Sequence, residues 1–302
     1  MTRLAVVTIA HGRHDHLRMQ HRGLAASDRL PDDYIVVAMD DPELLHWSPG
    51  GVPAPHVVPI ARDPLGLPLA AARNLGAEVA IARGADVLVF LDVDCIPGPE
   101  LVSAYLTAAL NRETRNDLLC GPVAYLPPAS AGGYRLAELD AMAPPHPARP
   151  APAPGAVERG GDHRLFWSLS FAVTRDTWHR LGGFHADYVG YGGEDTDFAK
   201  VAAERGIEIA WLGAARAYHQ HHAVESPPVR HLEDILRNGA IYAERWGEWP
   251  MEGWFEGFEC LGLVERDGRG WRATSKEVDA PANHRIIGGD DGNRTRVISL
   301  ED

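Results

Sequence analysis

Apolar residues in this chain fall into short unbroken runs separated by stretches of helical period, and this alternation sets the expected elements. Residues 4–10, 34–39 and 56–61 read as three early strands; the first turns through His11-Gly12-Arg13 into a helix over 14–27, and the second ends in Asp40-Asp41-Pro42. A helix is predicted over 70–83, with Ala72, Leu75, Val79 and Ala82 on one face and Gly84 as its stop. Residues 87–91, Val-Leu-Val-Phe-Leu, read as a strand buried on both faces of a parallel sheet and stopped by Pro97. Pro99 then opens a helix whose inner side is Val102, Leu106 and Leu110. A further strand is expected over 118–126.

The proline-rich run 144–154 lies inside a long segment, 127–162, that reads as a flexible loop, since prolines deny it helix and sheet interiors. Order resumes with a strand over 166–174 and a short helix over 175–181 that ends at Gly182-Gly183. A helix follows from Glu194 to Arg205, with Phe198, Val201 and Ala202 inward, and then a strand over 207–212. Residues 228–246 read as helix, 246–264 as a Trp-, Phe- and Gly-rich stretch, and Asp267-Gly268 as a hairpin turn. Strands alternating with helices predict an α/β fold with a mostly parallel central sheet flanked by helices. The expected organisation is a domain over 1–226, with halves near 1–126 and 163–226, a helical and aromatic extension over 227–274, and a disordered tail over 275–302.

Composition narrows the partners. At 302 residues and 45% hydrophobic the chain can bury a full core. Its net charge is −13, from 29 basic and 42 acidic residues with no basic run, which argues against nucleic acid and anionic membrane surfaces. The apolar run 4–10 is too short for a transmembrane segment and lacks a cleavage site. Cys95, Cys120 and Cys260, odd in number and without metal-type spacing, are expected to be buried in a reducing compartment. The expectation is a soluble cytoplasmic protein, and the Ala, Arg, Gly and Pro richness suggests a bacterial source.

Four groups of residues fall at strand ends, where α/β sheets bind ligands. Asp92-Val93-Asp94 follows the central strand, and paired carboxylates there suit a divalent cation gripping a diphosphate, although a solvated turn would read the same way. Arg73-Asn74 lies in the first turns of the small-residue helix 70–83, where the arginine could meet a base or phosphate or stay at the surface. Gly192-Gly193-Glu194-Asp195-Thr196-Asp197, beside Tyr188 and Tyr191, suits a sugar-binding cleft with a carboxylate base, or a helix start whose acids complement its dipole. The run 217–222, Ala-Tyr-His-Gln-His-His, offers imidazoles, and a cation shared by Asp94 and an imidazole leans toward Mn²⁺ over Mg²⁺.

In this order and spacing the four groups resemble those of GT-A glycosyltransferases, especially the family 2 type, over roughly residues 4–222. The Gly-Gly-Glu-Asp segment looks like that of β-1,4-galactosyltransferases, and Ala-Tyr-His-Gln resembles the metal-binding histidine segment of chondroitin polymerase. The resemblance implies a nucleotide-diphosphate sugar donor, with UDP favoured, a carbohydrate or other hydroxyl acceptor, and Mn²⁺ (or Mg²⁺). It would place Ala10, His11, Arg13 and Asp40 near the base, Arg73 near the base or diphosphate, and Asp92 and Val93 near the ribose and metal. Asp94 and His219 would ligate the metal, with His221 the second choice among the histidines and Asp92 a further candidate. Glu194, Gly193, Tyr191 and Trp167 would bind the acceptor, and Asp195 would be the catalytic base of an inverting reaction. The first strand's Ala-His-Gly-Arg ending departs from the commoner Pro- or Asn-containing turn. Two rivals stand beside this reading. An Asp-x-Asp phosphohydrolase would release phosphate from an aryl phosphate, and a non-catalytic sugar-binding protein would tolerate loss of Asp195.

Overall fold

The computed structural model describes residues 1–223, 225–268 and 270–275. In chain order the elements are β1 Leu4–Ala10, α1 His14–Ala25, β2 Asp33–Met39, β3 Pro55–Ile60, α2 Leu69–Ala82, β4 Val87–Leu91, β5 Cys95–Pro97 and α3 Leu101–Leu110. They continue with β6 Leu118–Cys120, β7 Val123–Tyr125, α4 Leu139–Met142, β8 Val157–Arg159, β9 Ser170–Thr174, α5 Arg175–Leu181, α6 Glu194–Glu204, β10 Ile209–Leu212 and β11 Ala217–His219. The chain closes on α7 Leu232–Trp246, α8 Glu252–Cys260 and the hairpin β12 Val264–Asp267, β13 Gly270–Ala273.

Eight strands form the main sheet in the order β3-β2-β1-β4-β9-β6-β10-β8. β3, β2, β1 and β4 run parallel, as do β6 and β10, whereas β9 runs antiparallel between β4 and β6 and β8 closes the edge antiparallel to β10. β4 is buried throughout, as its composition predicts, but its neighbours are one parallel and one antiparallel strand. Alternate side chains of the sheet feed two cores. Val7, Ile9, Ile35 and Val37 face α2, α5 and α6, and Leu4, Val6, Val36 and Val89 face α1 and α3. In the first core Phe90 stacks on Phe171 at 4.6 Å and Phe184 on Phe198 at 4.3 Å. Such pairs contribute about 0.5–1.5 kcal/mol each beyond burial.

The differences from the predicted pattern have local causes. The run 118–126 is two strands in two sheets, because it bends at Gly121-Pro122, where a Cβ on Gly121 would lie 1.7 Å from the Ala215 carbonyl oxygen. Pro97 does not stop β4; the chain turns after Leu91 and 95–97 pairs with β11 in a second sheet, β5-β11-β7. α3 begins two residues after Pro99 and buries Leu101, Val102, Tyr105, Ala108 and Ala109, leaving Leu110 exposed. α2 turns its small residues Ala72, Gly76, Ala77 and Ala80 inward with Arg73, whereas Leu75 and Val79 are half-buried and Ala82 is exposed. β9 starts at Ser170, four residues later than predicted. The segment 127–162 contains α4 and the edge strand β8, and it buries Tyr134, Leu139 and Arg149. Cys95 and Cys120 are buried, but Cys260 is exposed at the end of α8. The tail expected to be disordered lies outside the described residues beyond Ser275. Among the described residues no helix is long and apolar enough to cross a membrane.

Candidate active site

The Asp92–Asp94 turn sits at the carboxyl end of β4 and is fixed from beneath by Gln20 of α1. Gln20 Nε2 donates to the Asp92 carbonyl at 2.7 Å and the Cys95 carbonyl at 3.2 Å. Its Oε1 accepts from Thr8 Oγ1 at 2.9 Å and Tyr34 Oη at 2.7 Å. One fully buried amide thus ties β1 and β2 to the carboxylate turn, and such satisfied buried networks hold a single geometry.

The second sheet brings the histidines over this turn. β11 pairs with β5, and the Gln220 N–H donates to the Asp94 carbonyl at 2.8 Å. His219 Nε2 and His222 Nε2 consequently lie 3.5 and 3.4 Å from Asp94 Oδ2. Asp94, His219 and His222 offer ligand atoms that all lie within 4.8 Å of one another. A carboxylate with two imidazoles suits a divalent transition ion better than Mg²⁺, which prefers an all-oxygen shell. Burial works against ionisation of Asp94, which is 8% exposed, but His219, His222 and Arg13 outweigh it and hold the carboxyl well below the usual range. Arg13 Nη1 lies 2.5 Å from Asp94 Oδ2.

Across the turn, Arg73 joins the two acidic segments. Its Nη2 is 3.2 Å from Asp92 Oδ1 and its Nη1 3.2 Å from Glu194 Oε1, while the guanidinium lies 5.2 Å from the Phe184 ring centre. Arg73 is 4% exposed; burial alone would lower its pKa, but Asp92, Glu194 and Asp195 raise it above the ordinary value. Asn74 pins the same corner, donating to the Phe184 carbonyl at 2.8 Å and accepting from its N–H at 2.9 Å. The small residues of α2 are what let this arginine and asparagine come so close to the sheet edge.

The Gly-Gly-Glu-Asp turn is built on glycines. Gly192 and Gly193 take φ of 88° and 90°, the left-handed region, and Gly193 caps α6. Glu194, Asp195 and Asp197 follow, all buried, with Asp195 Oδ1 accepting from the Thr196 N–H at 2.8 Å. Asp197 faces away from this turn. Its Oδ1 accepts from Arg245 Nε at 2.8 Å, Trp246 Nε1 at 2.7 Å and Tyr188 Oη at 3.3 Å. Asn238 of α7 donates to the carbonyls of Gly192 at 2.7 Å and Val189 at 3.1 Å, and Asp234 accepts from the Tyr191 N–H at 3.1 Å. α7 is therefore the scaffold of the Gly-Gly-Glu-Asp turn. Tyr191, Gly192, Glu194, Asp195, Met251 and Trp254 line one recess there.

The structure gathers most of the residues singled out in the sequence, but not all as expected. Asp92, Asp94, Arg73, Glu194 and Asp195 form one charged cluster beyond the carboxyl end of β4. Ala10, His11 and Arg13 end β1 beside β2, where His11 Nδ1 donates to the Met39 carbonyl at 2.7 Å. Asp40 is exposed with φ 48°, while its neighbour Asp41 holds the turn by accepting from the Gly12 N–H at 2.7 Å. Val93 is half-buried in the carboxylate turn, and Tyr191 stacks on Trp254 at 5.6 Å. Trp167, expected on the acceptor side, is 2% exposed and packs its ring under Arg149 and against His146. The imidazole that joins Asp94 and His219 is His222; at His221 it is the backbone N–H that is engaged, donating to Tyr134 Oη at 3.0 Å. Gln20, Asn238, Arg245 and Trp246 escape the sequence reading because each acts through long-range contacts. The one available signal was a polar Gln20 on the inner face of α1.

Residues 162–223 match the family model described as the N-terminal domain of galactosyltransferase. A search of curated proteins gives no match. Among solved structures, S. aureus TarS 1–349 aligns over 80% of this chain and 64% of its own, with 13% identity and a TM-score of 0.53. GalNAc-T7 with UDP, GalNAc and Mn²⁺ aligns over 81% of this chain at 15% identity and a TM-score of 0.48. The catalytic domain of Drosophila β1,4-galactosyltransferase 7 with xylobiose covers 74% of this chain and 72% of its own, with 15% identity and a TM-score of 0.42. The chain spans half the length of the GalNAc-T7 chain and less than two thirds of TarS. Its fold is the GT-A fold of glycosyltransferases, with a galactosyltransferase-type segment over 162–223.

Proposed function

We propose that this chain is a metal-dependent, inverting glycosyltransferase that moves a sugar from a nucleotide-diphosphate donor, UDP-sugar by preference, to an acceptor hydroxyl. The observation that carries the reading is the charged cluster beyond the carboxyl end of β4, where Asp94, His219 and His222 group together and Arg73 bridges Asp92 to Glu194 and feels the charge of Asp195. The galactosyltransferase-type match over 162–223 includes both the Gly-Gly-Glu-Asp turn and the histidine pair.

Asp94, His219 and His222 would hold Mn²⁺ or a similar ion, which when bound supplies positive charge opposite the leaving diphosphate. Asp195 accepts the proton of the acceptor hydroxyl as that oxygen attacks the anomeric carbon; the bond to the diphosphate breaks, and its electrons leave with the nucleotide. Attack from the face opposite the leaving group inverts the anomeric centre. Glu194, held by Arg73, hydrogen-bonds the acceptor, and Arg73 keeps the donor and acceptor sides in fixed register.

A thermal-shift panel of nucleotide diphosphates and nucleotide sugars with Mn²⁺ tests the donor class, since a ligand that binds the native state raises the melting temperature by mass action. UDP and a UDP-sugar are expected to stabilise the protein with the ion present; the absence of any nucleotide response would remove the donor reading. For the metal, His222→Ala is expected to weaken Mn²⁺ binding, measured by titration calorimetry, by more than the roughly 10–100-fold typical of outer-shell changes. His221→Ala is expected to bind Mn²⁺ like the wild type. The opposite pattern would move the ligand to His221.

A further inference from the structure

Segment 127–162 is expected from the sequence to be a flexible loop that orders over a bound donor as a lid does. In the structure residues 134–149 are anchored at both ends and touch the histidine turn from two directions. Tyr134 Oη donates to the Pro127 carbonyl at 2.8 Å and accepts from the His221 N–H at 3.0 Å, so it holds the backbone between His219 and His222. Tyr134 and Leu139 pack with Ile96, Ala124, Leu126 and Tyr218 beneath the second sheet.

At the other end Pro145 bridges to Ala124, and the His146 N–H donates to the Val123 carbonyl at 2.9 Å. The His146 ring stands edge-on to Tyr125 at 5.3 Å, and Tyr125 in turn packs on the His219 ring at 4.7 Å. Three residues on, the Arg149 guanidinium is 5% exposed and lies 5.0 Å from the ring centres of both Trp167 and Trp211. Attraction between the cation and the two indole faces ties Arg149 to Trp167 and Trp211. Prolines on either side of His146 and Arg149 further restrict the chain and lower the entropy lost in holding it there.

We infer that residues 134–149 form a strap that positions the metal-binding histidines, with Tyr134 as its positioning residue at the histidine backbone and His146 and Arg149 as its anchor behind His219. The inference rests on the metal reading of Asp94, His219 and His222. The affinity of a ligating imidazole depends on the groups that orient its ring, so the strap sets metal affinity without touching the ion.

Two measurements on the full chain test it. Tyr134→Phe removes only the hydroxyl, and its Mn²⁺ affinity by titration calorimetry without nucleotide is expected to fall about 10–100-fold. Hydrogen exchange at residues 134–149 is expected to be slow in the free protein and unchanged by Mn²⁺ with UDP. Wild-type Mn²⁺ affinity in Tyr134→Phe overturns the strap while leaving the metal site standing. Fast exchange in the free protein that becomes slow only with Mn²⁺ and UDP overturns it too, since the segment would then be a lid that closes on ligand. Wild-type protein that binds no Mn²⁺ overturns the metal reading and the strap's role with it.

Discussion

Asp195→Asn is expected to lower turnover by about 10²–10⁴ while nucleotide-sugar binding survives, because it removes the proton acceptor. That loss corresponds to roughly 3–5 kcal/mol of transition-state stabilisation. Asparagine keeps the shape of the side chain and an oxygen that can accept from the Thr196 N–H, as Asp195 Oδ1 does at 2.8 Å. The turn therefore has no reason to rearrange, and Glu194 stays paired with Arg73. The check is a pair of assays on one preparation: sugar transfer to an acceptor, and the thermal shift given by nucleotide sugar with Mn²⁺. Turnover within a few-fold of wild type would move the base to another residue. Loss of transfer together with loss of the thermal shift would mark Asp195 as part of the donor site instead.

Two residues on, Asp197→Ala is expected to do the opposite, costing stability first. Asp197 is 1% exposed and its Oδ1 accepts from Arg245 Nε, Trp246 Nε1 and Tyr188 Oη. Burial and the nearby Asp197 charge push the Tyr188 phenol far above its ordinary pKa, so the hydroxyl remains a donor to that carboxylate. Removing one partner of a buried pair typically costs 3–5 kcal/mol, and Arg245, with its side chain 29% exposed, can turn to water, so about 3 kcal/mol is expected. In a chain of 302 residues each kcal/mol moves the melting temperature by roughly 1.5–2 °C. Calorimetry checks this directly. A wild-type melting temperature would mean that α7 is held to the Gly-Gly-Glu-Asp turn by Asn238 and Asp234 without Asp197. Asp195 and Asp197 thus have separable signatures, one in rate and one in melting temperature.

The family resemblance assigned the base to Asp195, but local residue pattern does not distinguish these two aspartates, and the reason is geometric. Residues two apart in a helix point to different sides, so their surroundings come from whatever packs on each side. For Asp197 that is the end of α7, where Arg245 and Trp246 lie 48 and 49 residues along the chain. Histidines 219, 221 and 222 pose the same problem. Residue types in the segment suggest a metal, but whether the third ligand is His221 or His222 depends on how the turn leaves β11. That turn is set by the Gln220 bond to Asp94 and the Tyr134 bond at His221.

Local pattern was enough wherever periodicity and composition act over a few residues. By itself the sequence determined β1 at Leu4–Ala10, β4 at Val87–Leu91 and α5 at Arg175–Leu181, along with the start of α6 at Glu194, because unbroken apolar runs and glycine stops leave little choice. It also determined that carboxylates, a small-residue arginine helix, a glycine turn and a histidine run stand at strand ends. Tertiary structure alone decided that β9 enters the sheet antiparallel, that Gly121 splits one predicted strand between two sheets, and that the proline-rich segment is pinned through Arg149. It likewise decided that Arg73 spans Asp92 and Glu194, and that Gln20 fixes the turn beneath Asp94. These features are pairings between residues far apart in the chain, and no local run of amino acids encodes a distance across the fold.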